Sequence, residues 1–87
     1  MTGEATRVAV DYRVDCGWHI FTSEDVPELL VAHTDPLVAF NDVAVVLEGL
    51  MRLNAGIDCK FAPEQPAEQF LADRQHVTHR VHFSKAA

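Results

Sequence analysis

The chain has 87 residues, 48% of them hydrophobic and 23% charged, proportions that fit a single globular domain over residues 1–87. No apolar run approaches the ~20 residues of a membrane span, and the start, MTGEATRV, lacks the basic and apolar segments of a secretory signal, so a cytoplasmic location is expected. The net charge of −6 is uneven, with −9 on residues 1–73 and +3 on residues 74–87; an acidic body argues against direct nucleic-acid binding and suits a basic protein partner.

Residues 7–14, RVAVDYRV, alternate strictly. Val8, Val10, Tyr12 and Val14 face one way, and Arg7, Ala9, Asp11 and Arg13 the other, the pattern of a half-buried strand. Asp15-Cys16-Gly17 reads as a tight turn, and WHIFT at 18–22 resumes strand character, with Trp18, Ile20 and Thr22 opposite His19 and Phe21. The short connection predicts an antiparallel hairpin. SEDVPE at 23–28 is a loop, and LLVAH at 29–33 a third strand, which makes a three-stranded meander.

Residues 34–56 predict one amphipathic helix laid across that meander. Thr34 or Asp35 is placed to cap the first amides, Pro36 suits the first turn, and Gly56 suits the left-handed closure. Leu37, Phe40, Ala44, Leu47 and Met51 form an apolar stripe flanked by Val43, Leu50 and Leu53. Asn41, Asp42, Glu48 and Arg52 lie opposite, with Glu48 and Arg52 spaced for an ion pair worth about 0.3 kcal/mol. Val38 and Val45 fall toward the polar side, either under a neighbouring segment or on a partner surface. Beyond the helix, 57–61 reads as extended, 66–73 as a short helix anchored by Phe70 and Leu71, and 76–84 as a further strand returning to the sheet.

The residue types that carry chemistry are scattered. His76, His79 and His82 recur every third residue, but on a strand His79 opposes the other two, and His76 and His82 lie about 20 Å apart at ~3.3 Å per residue. Together with His19, His33, Cys16 and Cys59 they offer metal ligand types without metal spacing, so no metal or other cofactor is expected. Cys16 is a candidate reactive thiol with no identifiable base beside it. Asp11, Glu24, Asp25 and Asp42 are candidates for a magnesium cluster, the basis of an alternative reading as a divergent metal-dependent nuclease.

The order of words gives a family likeness. Over residues 7–56, a first strand, G-W-H-I-F at 17–21, T-S-E-D-V-P-E-L at 22–29, T-D-P-L at 34–37 and L-N-A-G at 53–56 resemble the short, single-domain branch of the HicB-like antitoxin superfamily. Trp18 and the Thr22–Leu29 stretch carry most of the likeness, and Glu28 stands where that family usually has glycine. The resemblance implies an α+β domain of β-β-β-α-β order, similar to a truncated RNase H fold without its catalytic acids. It also implies a non-catalytic role: masking a small basic RNA-cleaving toxin, or acting as an orphan homo-oligomeric module. Residues 57–87 show no paired helices after a strand, so a second, DNA-binding module of the kind found in toxin-neutralising members is not expected within them.

The expected partner-binding residues are the acids Glu24, Asp25, Glu28 and Asp42 and the apolar anchors Trp18 and Phe21, whose rings are also placed to fill the core. A homodimer is expected too, since the third strand or the C-terminal strand would leave a free sheet edge.

Overall fold

The alternation of Val8, Val10 and Tyr12 with Ala9, Asp11 and Arg13 builds the strand at the middle of the molecule. The computed structural model describes residues 7–73 and 78–86. In it, β1 (Arg7–Asp15) is followed by β2 (Trp18–Thr22), β3 (Leu30–His33), α1 (Pro36–Ala55), β4 (Lys60–Pro63), α2 (Ala67–Asp73) and β5 (Thr78–Ala86). The architecture is α+β. One antiparallel sheet has the order β3-β2-β1-β5-β4, and the two helices pack on one of its faces. None of the described helices is long and apolar enough to cross a membrane.

The meander occupies the β3-β2-β1 half, as its hairpin signal implies. Cys16 and Gly17 both take positive φ (51° and 82°), which a two-residue turn matched to strand twist requires. That turn sets Asp15 opposite Trp18 and therefore Tyr12 opposite Phe21.

The other half departs from the expected β-β-β-α-β order. Two strands follow the helix, not one. The C-terminal strand is also no edge: β5 lies between β1 and β4 and pairs with β1 from Arg7↔Ser84 to Arg13↔Thr78, completing its own sheet. The edges are β3 and β4. His76 and Val77, the expected start of the last strand, lie outside the described residues.

Helix α1 begins where its capping chemistry sets it. Asp35 accepts hydrogen bonds from the amides of Leu37 (2.9 Å) and Val38 (3.2 Å), and Pro36 needs no donor at the first position. At the other end Gly56 is left-handed, and its N–H donates to the Arg52 carbonyl at 3.1 Å. The buried stripe is Ala39, Phe40, Val43 and Leu47. Leu37, expected on that stripe, is 39% exposed, and the buried positions begin at Ala39. Val38 (40% exposed) and Val45 (66%) are covered by no described segment.

The expected Glu48–Arg52 pair is not made. Glu48 instead accepts the Phe61 N–H (2.8 Å), and Arg52 turns to Asp58 (3.4 Å). An unpaired strand amide is a more rewarding partner for a half-buried carboxylate than an exposed guanidinium.

The core is aromatic. Phe70, fully buried on α2, stacks on Phe40 with ring centroids 4.5 Å apart, and meets the edge of Tyr12 at 5.0 Å and Phe21 at 5.6 Å. Phe40 also contacts Phe83 at 5.8 Å. The buried Tyr12 hydroxyl shares a hydrogen bond with His19 Nδ1 at 2.6 Å.

Candidate functional site

The loop at 23–29 shows what the T-S-E-D-V-P-E-L words do physically. β2 stops pairing at Thr22↔Asp11, so the backbone of Ala9, which has β5 on one side, has no strand on the β2 side. Side chains replace that strand. Ser23 Oγ donates to the Ala9 carbonyl (2.7 Å), and Asp25 Oδ2 accepts the Ala9 N–H (2.9 Å). Ser23 Oγ also accepts the amides of Asp25 and Val26 at 3.1 and 3.2 Å, closing a turn that delivers Val26 and Leu29 to the core. Asp25 is thereby a structural tether.

The remaining expected site residues are not gathered in one place. Phe21 is fully buried and is no surface anchor. The reason is register: opposite Tyr12, it lies on the face that the helices cover. Trp18 has the opposite parity, lies on the open face and is 47% exposed. Glu24 is exposed. Glu28 is exposed and hydrogen-bonds Asn54 near the end of α1 at 3.5 Å. Asp42 is exposed on α1, across the sheet from Trp18.

The open face has two kinds of surface. Along β2 and β3 runs an apolar strip: Trp18, Ile20, Ala32 and Leu30, the last 65% exposed. Register places Ala32 beside Ile20, and Leu30 beside Thr22. Along β1 and β5 the face is polar. Arg80 Nε donates to Asp11 Oδ1 at 2.9 Å. That bond, with the charges of Asp11, Glu24 and Asp25, holds the Arg80 guanidinium above its ordinary pKa. Between the two surfaces lies a depression of about 490 Å³, lined by Asp11, Tyr12, Arg13, Thr22, His79 and Arg80.

Further along this face, Arg7 forms a two-pronged pair with Glu64, each N···O distance 2.9 Å, and Ser84 Oγ donates to the same carboxylate. The Arg7 bond first, then that of Ser84, holds Glu64 below its ordinary value of 4.5. A carboxylate depressed by folding adds stability that is complete above its unfolded pKa and lost as pH falls through the lower folded pKa. Below about pH 4.5, wild-type Tm should therefore fall more steeply than that of Glu64→Gln, and the two slopes should match at neutral pH. Parallel curves throughout would contradict this.

The two sheet edges differ. On β4, the Glu64 N–H donates to the His82 carbonyl of β5 at 2.9 Å, so by alternation Phe61 and Pro63 address the outside. Glu48 takes the Phe61 N–H, and proline has none to offer. That edge is closed. On β3, Leu30–His33 contains no proline and no fixed charge, and no other element among the described residues hydrogen-bonds its outer side. That edge is open, and it borders the apolar strip. β3 is an edge as expected from the sequence, whereas the C-terminal strand, the other expected edge, is interior; the closed edge is β4, for which Pro63 is the sequence signal.

No arrangement resembling an activated nucleophile is formed by Cys16. A hydrogen bond from its thiol to Asp15, reinforced by that carboxylate's charge, pushes the thiol pKa up, opposite to what reactivity needs. Cys59 is half-buried, and neither cysteine is in a disulfide. Among the described residues, no three His, Cys, Asp or Glu side chains converge as a metal-binding group. No model of a known protein family, no curated protein and no solved structure matches this chain.

Proposed function

We propose that the chain is a non-catalytic, HicB-like protein-interaction domain that docks a small basic RNA-cleaving protein along its open β3 edge and masks it. The observation that carries this reading is the contrast between the edges: β4 is closed by Glu48 and Pro63, whereas β3 is unblocked beside the exposed Trp18 and Leu30. An extended segment adding to β3 would gain main-chain hydrogen bonds, and alternate side chains would meet the strip. The acidic body speeds encounter with a cationic partner.

The test is Leu30→Lys, which puts a repelling charge on the strip at an exposed position and leaves the core intact. Tagged wild-type chain recovered from its native cells at moderate salt should carry a small basic protein that is lost at high salt. Leu30→Lys should retain at least tenfold less of it, and Val45→Lys on α1 an unchanged amount. Equal recovery with both variants would overturn the docking edge. A homodimer broken by Leu30→Lys would instead reassign the edge to a second copy of the chain.

The alternative, a metal-dependent nuclease built on Asp11, is less well supported. The Asp11 carboxylate is engaged by Arg80, and Asp42 lies across the sheet from it. Magnesium-dependent RNA cleavage abolished by Asp11→Asn would favour that alternative.

A further inference from the structure

The polar half of the open face carries a feature that protein docking on β3 does not use. The depression between the two surfaces is within the usual size range of small-molecule sites, roughly 300–1,000 Å³. Its wall is built by cross-strand register. Thr22, Asp11 and Arg80 form one row across β2, β1 and β5, and Arg13 stands two residues along β1 on the same face, about 7 Å from Asp11 by strand rise. Tyr12 and His79, paired with each other and facing the other way, form the floor.

The donors of this wall are only partly used. Arg80 gives its Nε to Asp11, which leaves its two terminal amino groups without a partner among the described residues. Arg13 is exposed and makes no hydrogen bond or ion pair among the described residues. Its planar fork is therefore available for two-pronged recognition of an acid group. Thr22 adds a hydroxyl.

The charge count sets the ligand class. Two guanidinium groups face one carboxylate inside the depression, a net charge of +1, and Glu24 and Asp25 add negative potential around Arg80 from outside it. Such a site suits one negative charge and penalises two. We propose that the depression binds small organic monocarboxylates, with the carboxylate on Arg13 and the Arg80 amino groups, and Asp11 serving to orient Arg80 and to disfavour dianions. This proposal does not depend on the protein-docking reading, because neither the β3 edge nor Leu30 takes part.

The experiment is an NMR titration of the full-length chain with sodium propionate and, separately, inorganic phosphate at pH 7.5, at constant ionic strength maintained with chloride. Saturable shifts of the Arg13 side-chain and Thr22 amide signals are expected with propionate, and at least fivefold weaker binding with phosphate. Arg13→Gln should weaken propionate roughly tenfold, since it removes a charge-assisted pair at an exposed position, and its spectrum should otherwise overlay the wild type. Asp11→Asn should shift the preference toward phosphate, a reversal that mere loss of structure would not produce. Shifts that fail to saturate, tighter binding of phosphate by the wild type, or an Arg13→Gln variant that binds propionate as the wild type does would overturn the proposal.

Discussion

Phe70→Ala should cost about 3–5 kcal/mol in chemical denaturation, a large share of the roughly 5–15 kcal/mol available to a small domain. Phe70 is fully buried on a helix of only seven residues, and its ring touches Phe40, Tyr12, Phe21 and the edge of His79. A helix that short has little stability of its own and is held by what it packs against. Truncating Phe70 opens a cavity at the junction of α1, α2 and the sheet, and α2 should fray together with it. Phe70→Leu keeps most of the volume and should cost about 1–2 kcal/mol. A Phe70→Ala cost below 1 kcal/mol would mean that α2 does not seal the core.

Ser23→Ala should be the second most damaging change, although it removes one oxygen. That oxygen donates to Ala9 and accepts from Asp25 and Val26. Ser23 is buried, so water does not readily replace it. Each buried polar group left unsatisfied costs about 1–3 kcal/mol, and partial hydration at the rim brings the expected total to about 2–4 kcal/mol. Asp25→Asn should be much milder, near 0.5–1 kcal/mol, because an amide oxygen still accepts the Ala9 N–H, now without charge assistance. The check is urea denaturation of the three proteins, with hydrogen exchange at the Ala9 amide. If Ser23→Ala were as mild as Asp25→Asn, the loop would not be a substitute for a strand.

These two residues also mark what can be read from the chain. Local features were legible because short-range chemistry decides them: the Cys16-Gly17 turn, the Asp35 and Gly56 caps of α1, and the face parity of β1 and β2. Phe70 was visible as an anchor. Its centrality was not, since it comes from the convergence of four aromatic rings that lie far apart along the chain. The strand order was hidden for the same reason: β5 reaches β1 from the opposite end of the chain, and four residues of β4 give little periodicity.

The site residues divided along similar lines. The two-residue turn sets Tyr12 opposite Phe21, and hence a buried Phe21 and an outward Trp18, whereas alternation within WHIFT alone allows either ring to be the inward one. The acids Glu24, Asp25, Glu28 and Asp42 read together as a surface complementary to a basic partner because all carry negative charge, three in one loop and one on the polar side of the helix. In the fold Asp25 ties the loop to β1, and Asp42 is carried to the far side of the sheet. The arginine depression has no signal in the sequence at all, because strand register alone sets Arg80 opposite Asp11 and so diagonal to Arg13 on the same face.

We propose β3 as the docking edge. The direct measurement is amide hydrogen exchange on the complex recovered from native cells, compared with the free chain. The outward-facing, alternate amides within Leu30–His33 should gain strong protection in the complex, and Phe61 on the closed β4 edge should not change. Protection centred on Val38 and Val45 of α1, with β3 exchanging as in the free chain, would contradict the account.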